Sequence, residues 1–284
     1  MKALVMGAVA YDPKVVTIWE GFRSWLRGQG LPFDFVLYSH YERQTEDLVD
    51  GRLQAAWQSP LAWVRTRRLA AARGVDVSPL VMRDTDRDLT SVVVVGSDSP
   101  YTSVADLKDR TVAVGAVDSP QATLLPLSYL RRFGLRSDDT FRVRRFDTGV
   151  GLHGDHIGGE REAARALVAG EVAAVCMIDA NHLLFGRDST LPPGSTRILA
   201  RTEPYDHCLM AGGGTLSAEL AATFTGLLLS MSYADPEVRR LLDLEGLTAW
   251  CPGRESGYGA LTTAVDEAGF YAADGRVTAT GYHP

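Results

Sequence analysis

The sequence is short of several things, and each shortage closes off a class of protein. Three cysteines, Cys176, Cys208 and Cys251, are too few and odd in number to supply a disulfide framework. Positive charge is not in surplus: 29 Lys and Arg stand against 35 Asp and Glu, a net charge of −6, which argues against general nucleic-acid binding. The densest basic stretches, Arg65 to Arg73 and Arg142 to Arg145, are interleaved with apolar residues and read as solvated faces of packed elements. No apolar run approaches the roughly 20 residues that span a bilayer, so membrane insertion is not expected. Met1-Lys2 leads straight into Ala3-Leu4-Val5-Met6-Gly7, too short for the apolar region of a secretion signal, and the expectation is a cytoplasmic protein. A Walker-type phosphate loop, a GxGxxG after the first strand and a GxSxG elbow are all missing, leaving those chemistries without support.

What is present is an ordinary globular composition, 45% apolar and 23% charged over 284 residues, enough for one large or two modest domains. Strand and helix patterns alternate. Ala3–Val9, Phe33–Tyr38, Leu53–Trp57, Pro79–Met82 and Ser91–Gly96 read as strands. Between the first of them lie helical stretches at Lys14–Arg27, Tyr41–Asp50 and from Ser59 to Gly74. From Ser97 the pattern restarts, with strands at Arg110–Val114, Phe141–Phe146, Val172–Ile178 and Arg197–Arg201. The final third is mainly helical, with Ser217–Ser230 and Pro236–Leu242 the clear helices. Such alternation predicts an α/β protein whose sheets are mostly parallel and flanked by helices, and the restart predicts two lobes with a ligand cleft between them.

One local feature recurs. Asp12-Pro13, Ser59-Pro60 and Ser119-Pro120 each open a helix directly after a strand. Ser or Asp accepts hydrogen bonds from free N–H groups at a helix N-cap, and proline suits the first helical position because it has no N–H to satisfy. In an open parallel sheet these starts lie at the carboxyl ends of strands, where ligands bind. Free N–H donors and the helix dipole there favour an anion, so a small anionic molecule is the expected ligand.

Four segments carry a resemblance. They are Leu53-Gln54-Ala55-Ala56-Trp57-Gln58-Ser59-Pro60-Leu61-Ala62-Trp63-Val64, Ser103–Val114, Asp118-Ser119-Pro120-Gln121-Ala122-Thr123-Leu124-Leu125-Pro126, and Ala163–Ala174 with its Gly170-Glu171-Val172. Together they resemble the phosphate/phosphonate-binding branch of the periplasmic solute-binding proteins, over most of the chain. The resemblance implies a type II periplasmic-binding-protein-like fold of two lobes, with 1–97 plus 204–284 in one and 98–203 in the other. It implies ligand contacts from Tyr11, Ser59, Ser119, Gln121, Thr123 and Asp179, and an ABC permease as partner only if the chain is exported. The same fold houses cytosolic enzymes of menaquinone and thiamine-pyrimidine synthesis, whose diagnostic motifs are not found here.

A histidine-rich stretch departs from the phosphonate-binder pattern. His153, His156, His182 and His207 fall within one interval, together with Asp155, Glu160, Cys176, Asp179 and Cys208. Imidazole, thiolate and carboxylate are the usual ligands of zinc or iron. His153, Asp155, His156, His207 and Cys208 are therefore candidate metal ligands. His153, His156 and His207 are candidate catalytic groups, since histidine exchanges protons near neutral pH. Neighbours on a strand point to opposite faces, so at most one of His207 and Cys208 is expected to face a cleft without a bend. Two functions stand side by side: a solute-binding protein, and a cytosolic enzyme on the same fold, a lyase or a metal-dependent oxidation catalyst.

Overall fold

The computed structural model describes residues 3–283, and the chain divides into two compact units, each built from three segments. The first comprises the residues up to Arg87, Asp206–Tyr258 and Tyr271–Val277; the second comprises Asp88–Tyr205, Gly259–Phe270 and the residues from Thr278.

The first unit opens with three β-α pairs: β1 (Leu4–Val9) and α1 (Lys14–Gly28), β2 (Phe33–Tyr38) and α2 (Tyr41–Val49), β3 (Ala55–Gln58) and α3 (Pro60–Arg73). β4 (Ser78–Arg83) leads out of it. The second unit holds β5 (Ser91–Gly96), β6 (Thr111–Val114), α4 (Leu125–Arg131), β7 (Arg142–Arg145), α5 (Gly158–Val168), β8 (Ala174–Ile178), α6 (Asp179–Arg187) and β9 (Thr196–Arg201). The chain returns to the first unit with β10 (Leu209–Gly212), α7 (Ala218–Ser230), α8 (Pro236–Glu245) and β11 (Trp250–Pro252), and α9 (Gly259–Ala268) packs in the second.

The sheets run β11-β4-β10-β3-β1-β2 and β7-β6-β8-β5-β9. β1 pairs parallel with β2 and β3, and β6 parallel with β7 and β8. β10 runs antiparallel between β3 and β4, and β5 antiparallel between β8 and β9. Both antiparallel insertions are strands that follow a passage of the chain from one unit to the other.

The two units divide at other residues than expected. Ser91–Gly96, expected in the first lobe, is the next-to-edge strand of the second sheet, with Val92–Val95 buried against β8 and β9. α9 and the last residues also belong to the second unit, because Leu261, Ala264, Phe270 and Tyr282 bury there, Phe270 and Tyr282 with ring centroids 4.9 Å apart.

α1 shows why these helices form where they do. Val15, Ile18, Trp19, Phe22 and Leu26 make one buried stripe against the first sheet, and Asp12 Oδ1 accepts the Lys14 N–H at 2.8 Å. α3 starts at a serine cap with proline in its first turn and stops at Gly74, which takes the left-handed conformation (φ 64°) that a side chain would disfavour. Among the described residues no helix is long and apolar enough to cross a membrane.

Candidate functional site

In the first unit, β3 ends at Gln58, whose carboxamide bonds the Thr66 hydroxyl at 2.7 Å beneath the chain. Ser59 follows in extended conformation, fully buried, its Oγ accepting the Ala62 N–H at 3.1 Å, while the Trp63 N–H bonds the Ser59 carbonyl. Pro60 then starts α3 with no N–H to satisfy. Tyr11 lies on the loop after β1, packed against the first core, with Lys14 Nζ 5.7 Å from its ring centroid.

In the second unit, Ser119 repeats the arrangement. Its Oγ accepts the Ala122 N–H at 3.1 Å, and Pro120–Leu124 form a π-helical turn that runs into α4. The Thr123 and Leu124 N–H groups both return to the Ser119 carbonyl. The Thr123 hydroxyl donates to the Ala116 carbonyl at 2.8 Å, so its proton is committed within the loop. Gln121 Nε2 donates to the Gly154 carbonyl at 2.8 Å and to Glu160 Oε1 at 3.2 Å, tying the turn to the glycine-rich loop and to α5. Glu160, 2% exposed, also accepts the Ile178 N–H and the Asn181 amide.

Ahead of the Ser119 turn stands a fully buried carboxyl, Asp118. Its Oδ2 accepts the Gly151 and His153 N–H groups at 2.8 and 3.0 Å, while Oδ1 has no hydrogen-bond partner. Burial raises its pKa, opposed by His153 and by these N–H groups. Asp118 and Glu160 carry no sequence signature of their own. Their role in holding the turn becomes legible only once the loop 149–159 folds over it.

The histidines separate by unit. His153 takes the left-handed conformation (φ 51°), which its N–H bond to Asp118 helps to hold, and its Nε2 lies 3.0 Å from the Tyr282 hydroxyl. His156 Nδ1 accepts the Gly158 N–H at 3.0 Å, at the start of α5. Asp155 is in the same loop of the second unit, whereas His207 and Cys208 belong to the first. Asp179 opens α6, and its Oδ2 accepts from Thr90 at 3.0 Å and pairs with Arg201 at 3.2 Å.

His207 and Cys208 are closer than strand alternation allows: Nδ1 lies 3.1 Å from Sγ. The two residues precede β10 and have no strand pairing, so the alternation rule does not reach them. Asp86 completes the cluster, with Oδ1 3.5 Å from His207 Nδ1, and its carbonyl accepts the His207 N–H. Among the described residues this is the one group of three His, Cys, Asp or Glu side chains whose ligand atoms converge, and His153, Asp155 and His156 form none. Its carboxylate is already held in an ion pair. Arg83 Nε and Nη2 reach Asp86 Oδ2 and Oδ1 at 2.5 and 2.9 Å, so a cation already occupies both carboxylate oxygens. Burial would raise the Asp86 pKa; Arg83 and His207 override it and hold the carboxyl at about 2. Beside it, the fully buried Asp206 takes Arg254 in a second bidentate pair, both bonds 2.6 Å. The spacing Arg83-x-x-Asp86 is the sequence signal that marks the first pair; nothing local marks the partner 121 residues further on.

The model of one protein family, described as "ABC transporter, phosphonate, periplasmic substrate-binding protein", matches residues 7–258. The chain belongs to that family. Both serine-capped helix starts and the Asp86–His207–Cys208 cluster fall inside the matched span. No curated protein matches the chain. Solved structures share the fold. PhnD1 from Prochlorococcus marinus, in complex with methylphosphonate, has a TM-score of 0.68 at 15% identity, over 94% of this chain and 98% of that one. XAC2383 from Xanthomonas citri, bound to ATP, has a TM-score of 0.71 at 17% identity, again over 94% and 98%. The aliphatic sulphonate binding protein SsuA from Escherichia coli has 0.54 at 18%, over 94% and 83%. Family membership makes solute binding the function of this chain, and the comparisons lend no support to an enzyme on the same fold.

Proposed function

We propose that the protein binds a small organic oxyanion, a phosphonate or a sulfonate, through its two serine-capped helix starts, and delivers it to an ABC permease. The observation that carries this reading is the family match over 7–258, which contains two buried helix starts of the same construction, one in each unit. In each, serine caps the third N–H of the turn and proline removes the first, so the N–H groups of Leu61 and Gln121 stand at the head of the turn for a ligand oxygen. Tyr11 is a further ligand contact in this reading, and the Thr123 oxygen retains lone pairs for a donor. Asp179 is the weaker candidate, since Arg201 and Thr90 already hold its carboxylate.

Titration calorimetry with methylphosphonate and methanesulfonate tests the proposal on the parent, Ser59→Ala and Ser119→Ala. One oxyanion should bind the parent with 1:1 stoichiometry, and each variant should bind it at least tenfold more weakly while melting within a few degrees of the parent. Parent-like affinity in both variants would remove the helix starts from the site. Fractionation of the native host settles the compartment. Recovery with periplasmic markers fits the family's description and the permease, and recovery with the cytoplasm restores the expectation drawn from the opening residues.

A further inference from the structure

A separate cavity of about 320 Å³ opens entirely within the second unit, among α4, α9, the end of β7 and the segment at Ala279-Thr280. Its volume falls at the lower end of the range that holds small organic ligands. The floor is apolar: Leu124, Leu127, Leu135 and Phe270, three of them buried. Around it stand three exposed guanidinium groups, Arg131 at the end of α4, Arg136 on the following loop and Arg145 at the end of β7.

These three arginines differ from their neighbours. Arg132 pairs with Glu203 and Arg144 with Glu171, whereas Arg131, Arg136 and Arg145 make no ion pair among the described residues. Arg131 has only a 3.5 Å contact with the Glu267 carbonyl. Glu267 is the single acidic residue of the lining, so the cavity mouth carries an excess of two positive charges on a protein whose net charge is −6. Unpaired cations around an apolar floor match a molecule that has an apolar body and a negative head.

We propose that this cavity is a second ligand site, which takes a small organic anion with an aromatic or branched apolar body. It shares Thr123 with the helix-start contacts above but holds charge differently. Its cations are side chains, where those contacts are backbone N–H groups, and its floor suits a ligand larger than a one-carbon phosphonate.

The probe pair is 8-anilinonaphthalene-1-sulfonate and the uncharged N-phenyl-1-naphthylamine, titrated by fluorescence into the folded full chain with and without saturating methylphosphonate. The sulfonate should bind one per chain and remain bound in methylphosphonate. Arg136→Gln/Arg145→Gln, two exposed positions that leave the core intact, should weaken it at least tenfold and leave the uncharged probe within twofold. Leu127→Trp, which fills the floor, should weaken both probes. Unsaturable sulfonate binding, full displacement by methylphosphonate, or parent-like affinity in both variants would overturn the assignment.

Discussion

Replacing Asp86 by Asn tests the electrostatic core of the first unit. Asp86 is 2% exposed and takes the Arg83 guanidinium through both oxygens, with Glu245 Oε1 3.4 Å from the same arginine. Against the usual value of 3.8, a native pKa of about 2 corresponds to about 2.5 kcal/mol of stability at neutral pH. The sign follows from the depressed native pKa: the contribution is complete above the unfolded-state value near 4, and drains away as pH falls through 2. By pH 3 about half of it remains. The variant also strands a partly buried guanidinium on its second carboxylate, so the total loss at pH 7 should be about 3–5 kcal/mol. All five tryptophans, at 19, 25, 57, 63 and 250, lie in the first unit, and Arg83 stands 5.3 Å from the Trp57 ring centroid. Urea unfolding followed by tryptophan fluorescence therefore reports on this unit. The gap between parent and variant should narrow by about 1 kcal/mol from pH 6 to pH 3. A gap below about 1 kcal/mol at pH 6, or one that is constant with pH, would refute the reasoning.

Three further outcomes follow from named contacts. Burial raises the Asp118 pKa, so its charge beside the Ser119 turn is lost as pH falls through a range above that of an ordinary carboxyl. The affinity for methanesulfonate, whose own charge is constant with pH, should rise toward the acid end when measured by calorimetry, and Asp118→Asn should flatten that trend. Cys176 is fully buried, with its pKa pushed up to about 12 by burial, and Cys208 is 2% exposed, while Cys251 is half-buried. An aromatic disulfide reagent should accordingly titrate one thiol in the native protein and three in guanidinium chloride. A Cβ on Gly257 would fall 2.0 Å from Asp206 Cγ. Gly257→Ala should therefore push the Asp206–Arg254 pair apart and cost about 1–3 kcal/mol in urea unfolding.

The three helix starts were legible because their chemistry is local. Asp12, Ser59 and Ser119 each act on an N–H two or three residues ahead, as their spacing to proline indicates. The alternation up to Arg73 was legible for the same reason, with α1 and α3 ending within a residue or two of expectation. β10 and β11 were not. Leu209-Met210-Ala211-Gly212 is buried on both faces, so it shows no alternation, and β11 has three residues. α9 starts at Gly259 with no polar cap to announce it, and its membership in the second unit depends on packing that no spacing encodes. The candidate metal ligands were gathered on another ground. Clustering in sequence gathered His153, Asp155 and His156 with His207 and Cys208, but the fold assigns them to different units and supplies Asp86 with an arginine already bound.

The interleaving of segments bears on how the chain comes to be folded during synthesis. The second unit's core includes Leu261, Phe270 and Tyr282, and the hydroxyl of Tyr282 meets the buried His153 ring, 129 residues earlier. The first unit likewise needs Tyr271, which reaches back to Glu42, and the Gly275 carbonyl, which accepts from Arg65. A ribosome-bound chain that ends before Tyr271 still lacks part of both cores. Neither unit can complete itself until residues 271–282 have been made, and contacts of such long sequence separation form slowly. Each newly made molecule therefore passes through an interval in which Leu, Phe and Tyr side chains of both cores are open to solvent, and during that interval a chaperone has something to hold.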